Sequence, residues 1–157
     1  TFAAMLATAR AERPEAELLL RPHPDVVAGW RRGHIALDAP GVRVIADAVA
    51  AHAVLDACDE VWTVSSQLGF EALLRGLPVI TFGMPFYAGW GLTRDRAAHP
   101  LAVEARRRRA IAGVSVDQLA AAALDLYPRY ADPRTHSPLD AHGAIDRLIA
   151  LRRNATP

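Results

Sequence analysis

The amino-acid sequence predicts an α/β fold: a Rossmann-like parallel sheet with helices on both faces. Short apolar runs alternate with stretches whose apolar residues recur at helical spacing, which is the pattern of strand–helix repeats. The apolar runs are continuous rather than alternating, as expected for strands that are buried on both faces of a parallel sheet. Polar residues follow several of these runs, at the edge where such sheets bind ligands.

The N-terminal part of the chain contains a helix, a strand and a second helix. Apolar residues at helical spacing predict a helix over 2–13, which Pro14 ends. The run Glu-Leu-Leu-Leu-Arg at 17–21 predicts a buried strand that stops at a Pro-His-Pro turn. Pro24 fits the first turn of a further helix over 25–32, which a glycine ends.

The middle of the chain continues the alternation. Val-Arg-Val-Ile at 42–45 predicts a second strand, and helical spacing over 49–58 predicts the helix after it. A third strand is predicted over 61–64, a helix over 68–75, and a fourth strand over 79–82. Gly-Leu-Pro separates that helix from the fourth strand, because glycine and proline end helices.

The C-terminal part of the chain is predicted to be helical. The spacing over 116–126 predicts a helix capped by Ser115, and Leu-Tyr-Pro-Arg-Tyr-Ala-Asp-Pro ends it. A final helix is predicted over 139–153. We therefore expect a single domain over 1–157, with 110–157 as its helical extension.

Composition narrows the class of protein. The 157 residues are 52% hydrophobic and 22% charged, which is typical of a globular domain with room for a core. The net charge of +1 argues against a general nucleic-acid binder. The one cysteine, Cys58, is predicted to be a small buried residue rather than a nucleophile, and no apolar stretch approaches the ~20 residues of a membrane helix. The chain does not begin with Met, so we expect a piece of a longer protein.

The turn after the first predicted strand carries two groups that can bind an anion. Prolines on both sides of His23 stiffen the turn and hold the imidazole at the end of the strand. His23 and Arg21 can both donate hydrogen bonds to a phosphate oxygen. The alternative is a turn histidine that is bonded to the backbone.

A second polar group follows the third predicted strand, where a helix begins. The free backbone N–H groups of a helix start favour an anion, and the hydroxyls of Ser65 and Ser66 add donors there. The alternative is simple N-capping, which one serine satisfies. Gly69 has no side chain, so a ligand or a strand can approach it closely. Glu71 then lies near the same edge, where a carboxylate can accept both hydroxyls of a ribose; the alternative is a solvated glutamate that the helix dipole favours.

Two further features have open interpretations. Tyr87 and Trp90 lie on a glycine-rich loop, where aromatic rings stack on a base or sugar, or fill a domain interface. The four arginines of 106–109 either meet an anionic partner or form a solvated face. The histidines other than His23 have no ligand spacing to one another, and we expect no metal site.

Three stretches together resemble one family: RPHPDV, VWTVSSQLGFEALLRGLPVITFGMPFYAGWGLT, and RRRR followed by LYPRYADP. The resemblance is to capsular polysaccharide proteins of the KpsC/LipA type, covers about residues 12–132, and is most specific over 65–93. These proteins are β-Kdo glycosyltransferases, which use CMP-β-Kdo (Kdo is 3-deoxy-D-manno-oct-2-ulosonic acid) to build the poly-Kdo linker on phosphatidylglycerol that carries the capsule chain. The resemblance implies a GT-B architecture, of which this chain matches the C-terminal, donor-binding half of one module.

The resemblance also implies roles for particular residues. His23 is expected to contact the CMP phosphate and to be the catalytic group. The remaining members of the implied nucleotide site are Arg21, Ser65, Ser66, Gln67 and Glu71. Tyr87 and Trp90 are candidate contacts of the sugar or the acceptor. The N-terminal GT-B half has no counterpart in this sequence, so we expect the chain alone to be inactive.

Further expectations concern cofactors, partners and location. Transfer is expected to need no cofactor and no metal, because the phosphodiester of CMP-β-Kdo carries one negative charge that side chains and a helix start can neutralise. The expected partners are CMP-β-Kdo, a lipid-linked Kdo acceptor, the N-terminal GT-B half and other capsule assembly proteins, with no nucleic acid. The expected location is cytoplasmic, peripheral on the inner face of the bacterial inner membrane.

Two other classes of function remain open. One is another GT-B enzyme that uses a UDP- or GDP-sugar, or a sugar epimerase. The other is a non-catalytic nucleotide-binding or interaction module, in which Tyr87 and Trp90 fill an interface. Within the leading interpretation, the motifs do not distinguish a 2→4 from a 2→7 linkage.

Overall fold

The chain divides into two compact units. The computed structural model describes residues 1–33, 39–45, 49–111 and 113–154. The first unit is Thr1–Gly113 and the second is Val114–Pro157. Each unit has its own strands and its own helices.

The first unit alternates strands and helices, as the sequence predicts. Its strands are β1 (Leu18–Leu20), β2 (Val42–Val44), β3 (Val61–Thr63), β4 (Val79–Thr81) and β5 (Arg94–Asp95). Its helices are α1 (Phe2–Glu12), α2 (Pro24–Val27), α3 (Ala51–Leu55), α4 (Gln67–Leu73) and α5 (Pro100–Arg109).

Every strand pair in the described part of this unit is parallel. One ladder joins β1 to β2, with Leu19 opposite Arg43. The other has the order β3-β4-β5, with Trp62 opposite Ile80 and Ile80 opposite Arg94. Because the strands of a ladder run in one direction, the segments that follow β3, β4 and β5 lie at the same edge. The predicted α/β class with parallel strands is confirmed.

The core of the first unit lies between the second ladder and α4. Val79 and Ile80 of β4 are buried, which is the reason that this strand is a continuous apolar run. Helix α4 contributes Phe70, Ala72 and Leu73, which share one face at helical spacing and are buried. Burial of a side chain the size of Phe70 contributes about 1.5–3 kcal/mol to stability.

Some predicted bounds are wrong. Helix α2 ends at Val27 and not at residue 32, because Gly29 takes a positive φ of 77° and turns the chain. Helix α3 spans Ala51–Leu55 and is shorter than the predicted 49–58. Strand β5 was not predicted, because its residues Arg94 and Asp95 carry no apolar signal.

The arginine run lies on α5; its last member holds the aromatic-glycine loop (residues 84–93) and its first member binds β5. Arg109 Nη1 donates hydrogen bonds to the carbonyls of Pro85 (3.0 Å) and Ala88 (2.7 Å). Its guanidinium also lies over the ring of Trp90, at 5.4 Å from the centroid. One helical turn earlier, Arg106 Nη1 donates to the carbonyl of Asp95 at 2.9 Å.

The two middle arginines behave differently. Arg107 and Arg108 are exposed and form ion pairs with Glu104 on their own helix, at 2.9 and 3.7 Å. Of the two predicted alternatives for the run, an anion-binding group or a solvated face, the solvated face therefore describes only half of it. Arg107 and Arg108 form a solvated face, whereas Arg106 and Arg109 are structural.

The second unit combines helices with a short hairpin. Its elements are α6 (Val116–Ala121), a π-helical segment (Ala122–Leu126), β6 (Tyr130–Ala131), β7 (Pro138–Leu139) and α7 (Ala141–Asn154). The predicted cap is confirmed: the Ser115 hydroxyl accepts from the N–H of Gln118, whose side chain accepts from the N–H of Ser115. Strands β6 and β7 pair antiparallel and were not predicted. Within the residues that the structure describes, no helix has both the length and the apolar character to span a bilayer.

The arginines of α5 provide a test within one helix. Replacement of Arg109 by alanine removes its carbonyl contacts to the aromatic-glycine loop, and we expect a loss of about 2 kcal/mol in the free energy of unfolding. The matched control is Arg108→Ala on the solvated face, which we expect to unfold at the wild-type denaturant concentration. Urea unfolding followed by circular dichroism measures both. Equal stabilities of the two variants would contradict the assignment of Arg109 as a structural residue.

Candidate functional site

The segment between β3 and α4 is organised by two hydroxyl groups. Ser66 is the N-cap of α4, and its Oγ accepts from the N–H of Leu68 at 3.2 Å. Thr63 Oγ1, at the end of β3, accepts from the N–H of Ser66 at 3.0 Å. Ser66 therefore has the simple capping role that was the alternative interpretation of this segment. The Ser66 hydroxyl proton is still able to donate, and exposed Ser65 forms no hydrogen bond within the described residues.

A buried tyrosine holds the same segment from the interior of the first unit. Tyr87 has no exposed surface, and its Oη donates to the carbonyl of Ser66 at 2.6 Å. The Thr63 hydroxyl lies near the Tyr87 phenol. A methyl group added at Gly69 would overlap the Tyr87 hydroxyl. Gly69 is thus required for the approach of Tyr87, rather than for that of a ligand or a strand.

The burial of Tyr87 corrects one expectation. A ring with no exposed surface offers no face to a sugar or an acceptor, so the expected sugar contact does not fit its position. Trp90 is half-buried, its Nε1 donates to the carbonyl of Phe86 at 2.7 Å, and Arg109 lies over its ring. Tyr87 fills the interior of the first unit itself, where it lies 6.3 Å from Phe70 between ring centroids.

Gln67 and Glu71 lie on one face of α4, because residues four apart are one turn apart. Gln67 is exposed and Glu71 is half-buried. Neither side chain forms a hydrogen bond or an ion pair within the described part of the chain. The carboxylate of Glu71 therefore keeps its acceptor capacity for a ligand with hydroxyl groups.

The turn after β1 presents His23 with one nitrogen engaged. His23 is the N-cap of α2, and its Nδ1 accepts from the N–H of Asp25 at 3.1 Å. The alternative interpretation, a turn histidine bonded to the backbone, is therefore correct for the Nδ1 atom. A neutral imidazole that accepts at Nδ1 carries its proton on Nε2, and 58% of the side chain is exposed, so Nε2 can donate to an anion. Arg21 is half-buried and donates to the carbonyl of Val49 at 3.3 Å.

The chain contains a second His-Pro pair with the same local structure. His99 is the N-cap of α5, Pro100 follows it, and Nδ1 accepts from the N–H of Leu101 at 3.2 Å. The His-Pro pair is therefore a means of starting a helix, because the imidazole caps and the proline suits the first turn. Its presence alone does not identify a ligand site.

The expected site residues form two groups. Ser65, Ser66, Gln67 and Glu71 follow β3 in one ladder, whereas Arg21 and His23 follow β1 in the other. No hydrogen bond or ion pair within the described residues links the two groups. Likewise, no cluster of three or more His, Cys, Asp and Glu side chains in the described ranges is arranged to hold a metal ion, and His34 lies outside those ranges.

Two organising residues were not predicted from the sequence. One is Thr63, whose position in the sequence indicates only an ordinary strand residue. The other is Asp95, whose carboxylate accepts from the hydroxyls of Thr81 (2.9 Å) and Thr93 (2.6 Å) and from the N–H of Gly89 (2.9 Å). Asp95 thereby ties the aromatic-glycine loop to β4.

Cys58 is half-buried, and its Sγ donates to the carbonyl of Val54 at 3.1 Å. Burial, with a smaller effect of Asp59, raises the pKa of the Cys58 thiol. A raised pKa keeps the thiol protonated, which agrees with the prediction that Cys58 is not a nucleophile.

The parallel ladders and the polar groups after their strands define an α/β protein of the Rossmann-like class, in which ligands bind at the strand ends. The profile of the family described as "Capsule polysaccharide biosynthesis protein" matches residues 1–130. The chain belongs to this family, which confirms the resemblance found in its motifs.

Curated relatives carry names from capsule and lipopolysaccharide biology. The chain is 43% identical over 149 residues to the capsule polysaccharide modification protein LipA of Neisseria meningitidis serogroup A, a match that covers 92% of the chain and 20% of LipA. It is 43% identical over 148 residues to the lipopolysaccharide-processing protein LpsZ of Rhizobium meliloti, covering 93% of the chain and 32% of LpsZ. The chain thus spans between a fifth and a third of the length of these relatives.

Two solved structures from Thermosulfurimonas dismutans share the fold. The β-Kdo 2,4 transferase of KpsC is 42% identical with a TM-score of 0.81, and the match covers 94% of this chain and 44% of that one. The β-Kdo 2,7 transferase of KpsC is 35% identical with a TM-score of 0.73, covering 97% of this chain and 47% of that one. These matches support the assignment of the fold to one half of a GT-B glycosyltransferase.

The buried phenol makes stability depend on pH. Burial raises the pKa of Tyr87 from 10.0 to about 12, against a smaller lowering by the hydrogen bond with Thr63. Above pH 10 the unfolded chain releases the phenol proton while the folded chain keeps it, so stability is complete below pH 10 and is lost as the pH rises through 12. We expect Tyr87 to account for a loss of roughly 2–3 kcal/mol across this window.

The control for this pH dependence is Tyr87→Phe, which keeps the ring and removes the titrating group. The free energy of unfolding, measured in urea from about pH 9 to 12, is expected to fall more steeply for the wild type than for the variant. The chain contains no lysine, so no lysine side chain contributes in this window, and Cys58 and the other two tyrosines are present in both proteins. Parallel curves for the two proteins would contradict the assignment.

Proposed function

We propose that this chain is the donor-binding half of a β-Kdo glycosyltransferase of capsular polysaccharide biosynthesis, and that it binds CMP-β-Kdo. The observation that supports the proposal is the match of nearly the whole chain to two β-Kdo transferase structures, with TM-scores of 0.81 and 0.73. The groups that follow β1 and β3 supply chemistry suited to such a donor, which contains one phosphate and one ribose.

The phosphate is assigned to hydrogen-bond donors at the strand ends. Departure of CMP develops negative charge on the phosphate, and donors already in place stabilise it. The candidates are the Nε2 proton of His23 and the hydroxyl protons of Ser65 and Ser66. Helix α4 has only seven residues, so these donors and the first amides of the helix carry more of the effect than the helix dipole does.

The remaining residues are assigned around the same nucleotide. Glu71 would accept the two ribose hydroxyls, since its carboxylate has no partner within the described residues. Gln67 lies one turn earlier on the same face of α4, and Arg21 adds positive charge beside His23. The charge of a single phosphodiester matches these side chains, so the proposal assigns no metal and no other cofactor to the site.

The type of glycosidic linkage is proposed from the two structural matches, which are named as a 2,4 and a 2,7 transferase. Identity is 42% to the 2,4 transferase and 35% to the 2,7 transferase. The TM-scores, 0.81 and 0.73, differ in the same direction. These differences favour a 2→4 linkage.

The rest of the activity depends on protein outside the matched region. The chain covers 44% of the 2,4 transferase chain, so the acceptor site is assigned to the other GT-B half and the chain alone is expected to be inactive. The proposed acceptor is a lipid-linked Kdo chain, and the proposed location of the complete enzyme is the cytoplasmic face of the inner membrane, beside other capsule assembly proteins.

Titration calorimetry with CMP, UMP and UDP separates the candidate functions. Preferential binding of CMP, by about tenfold or more over the other two, is the result that the proposal requires. Tighter binding of UDP would favour a different GT-B enzyme or an epimerase. A protein that binds none of the three nucleotides would support the interaction-module alternative.

The two His-Pro pairs give a matched test of the phosphate assignment. Loss of a hydrogen bond to a charged group costs about 1.5–3 kcal/mol, so we expect His23→Ala to weaken CMP binding by roughly ten- to a hundredfold. His99→Ala removes an equivalent helix cap and is expected to keep the wild-type affinity. In the complete enzyme, His23→Ala should lower Kdo transfer by orders of magnitude. Equal CMP affinities of the two variants would rule out the role assigned to His23.

A further inference from the structure

Both backbone polar groups of Ser66 are held by buried side chains. Its N–H donates to Thr63 Oγ1 at 3.0 Å, and its carbonyl accepts from Tyr87 Oη at 2.6 Å. The same carbonyl also accepts from the N–H of Gly69 at 3.1 Å, so Tyr87 and the first turn of α4 share one acceptor. Thr63 is 7% exposed and Tyr87 is 0% exposed, so water does not compete for these bonds.

Tyr87 is itself held in place by the aromatic-glycine loop. Arg109 binds the carbonyls that flank Tyr87, those of Pro85 and Ala88. Asp95 accepts from the N–H of Gly89, two residues after Tyr87. The position of the phenol is therefore set by β5 and α5, which lie after the loop in the sequence.

We propose that Tyr87 is a positioning residue for the phosphate of the nucleotide, an inference that rests on the proposed function. The Ser66 carbonyl also accepts from the N–H of Gly69 in the first turn of α4, so the phenol ties the start of the helix to the core. The Ser65 and Ser66 hydroxyls lie at that helix start, and a start held in one position keeps both donors where the phosphate would lie.

Such a role has a signature that a loss of stability does not produce. Removal of the phenol hydroxyl disturbs only the phosphate subsite, so it should change the affinity for CMP and leave the affinity for cytidine unchanged. A residue that merely stabilises the fold would alter the two affinities together or not at all. The ratio of cytidine to CMP dissociation constants therefore measures the positioning effect.

The test compares Tyr87→Phe with Tyr130→Phe by titration with CMP and with cytidine. Tyr130 is a matched control, because its Oη donates to the carbonyl of Leu124 at the same distance of 2.6 Å but lies in the second unit. We expect Tyr87→Phe to weaken CMP binding by about tenfold with an unchanged affinity for cytidine. Tyr130→Phe is expected to keep both wild-type affinities.

A second pair of variants tests the same inference if Tyr87→Phe fails to fold. Thr63→Val removes the hydroxyl that accepts from the N–H of Ser66 without a change in side-chain shape, and should lower the ratio in the same way. Thr63→Ser keeps that hydroxyl and should leave the ratio of cytidine to CMP dissociation constants at its wild-type value.

The outcomes separate the inference from the function on which it rests. A wild-type ratio in Tyr87→Phe and in Thr63→Val would overturn the positioning role while the proposed function stands. A wild-type protein that binds CMP no better than cytidine would overturn the assignment of a phosphate site, and the positioning role with it. A selective loss of CMP affinity in both variants, with retention in Thr63→Ser and Tyr130→Phe, is the supporting result.

Discussion

The hydrogen bond from the Tyr87 phenol to the carbonyl of Ser66 joins the core of the first unit to its polar edge. It is short, at 2.6 Å, and its donor is completely buried. A bond in such surroundings is stronger than one in water and leaves a costly unsatisfied group when it is broken. Helix α4 meets this constraint with a glycine at residue 69, because any side chain there would occupy the space of the phenol. The start of the helix is therefore shaped by tertiary contact as well as by its own capping residue.

The arginines of α5 extend this constraint to a second element. Arg109 donates from one nitrogen, Nη1, to the carbonyls of Pro85 and Ala88, and its guanidinium lies over the ring of Trp90. An ammonium group has no flat face to lie over a ring in this way. The loop that carries Tyr87 thus depends on Arg109, whereas the neighbouring residues Arg107 and Arg108 are exposed and pair with Glu104.

The two His-Pro pairs show how one local structure can serve different ends. Both imidazoles cap a short stretch of chain through Nδ1, and both are followed by a proline in the first helical turn. The capped helix differs, as does the strand that precedes it: β1 for His23 and β5 for His99. A nucleotide role for His23 therefore depends on its place in the sheet and on Arg21 beside it, since the motif itself also serves as a helix start.

Local pattern in the sequence by itself determined the parallel α/β class, the four apolar strands, the Ser115 cap and the polar helix start from Ser65 to Glu71. These features follow from periodicity and capping, which act over a few residues. Only the tertiary structure decided that Tyr87 is interior, that two of the four arginines are structural, and that the charged pair Arg94–Asp95 forms a strand. Each of these depends on partners far away in the chain, and a local pattern carries no information about such partners.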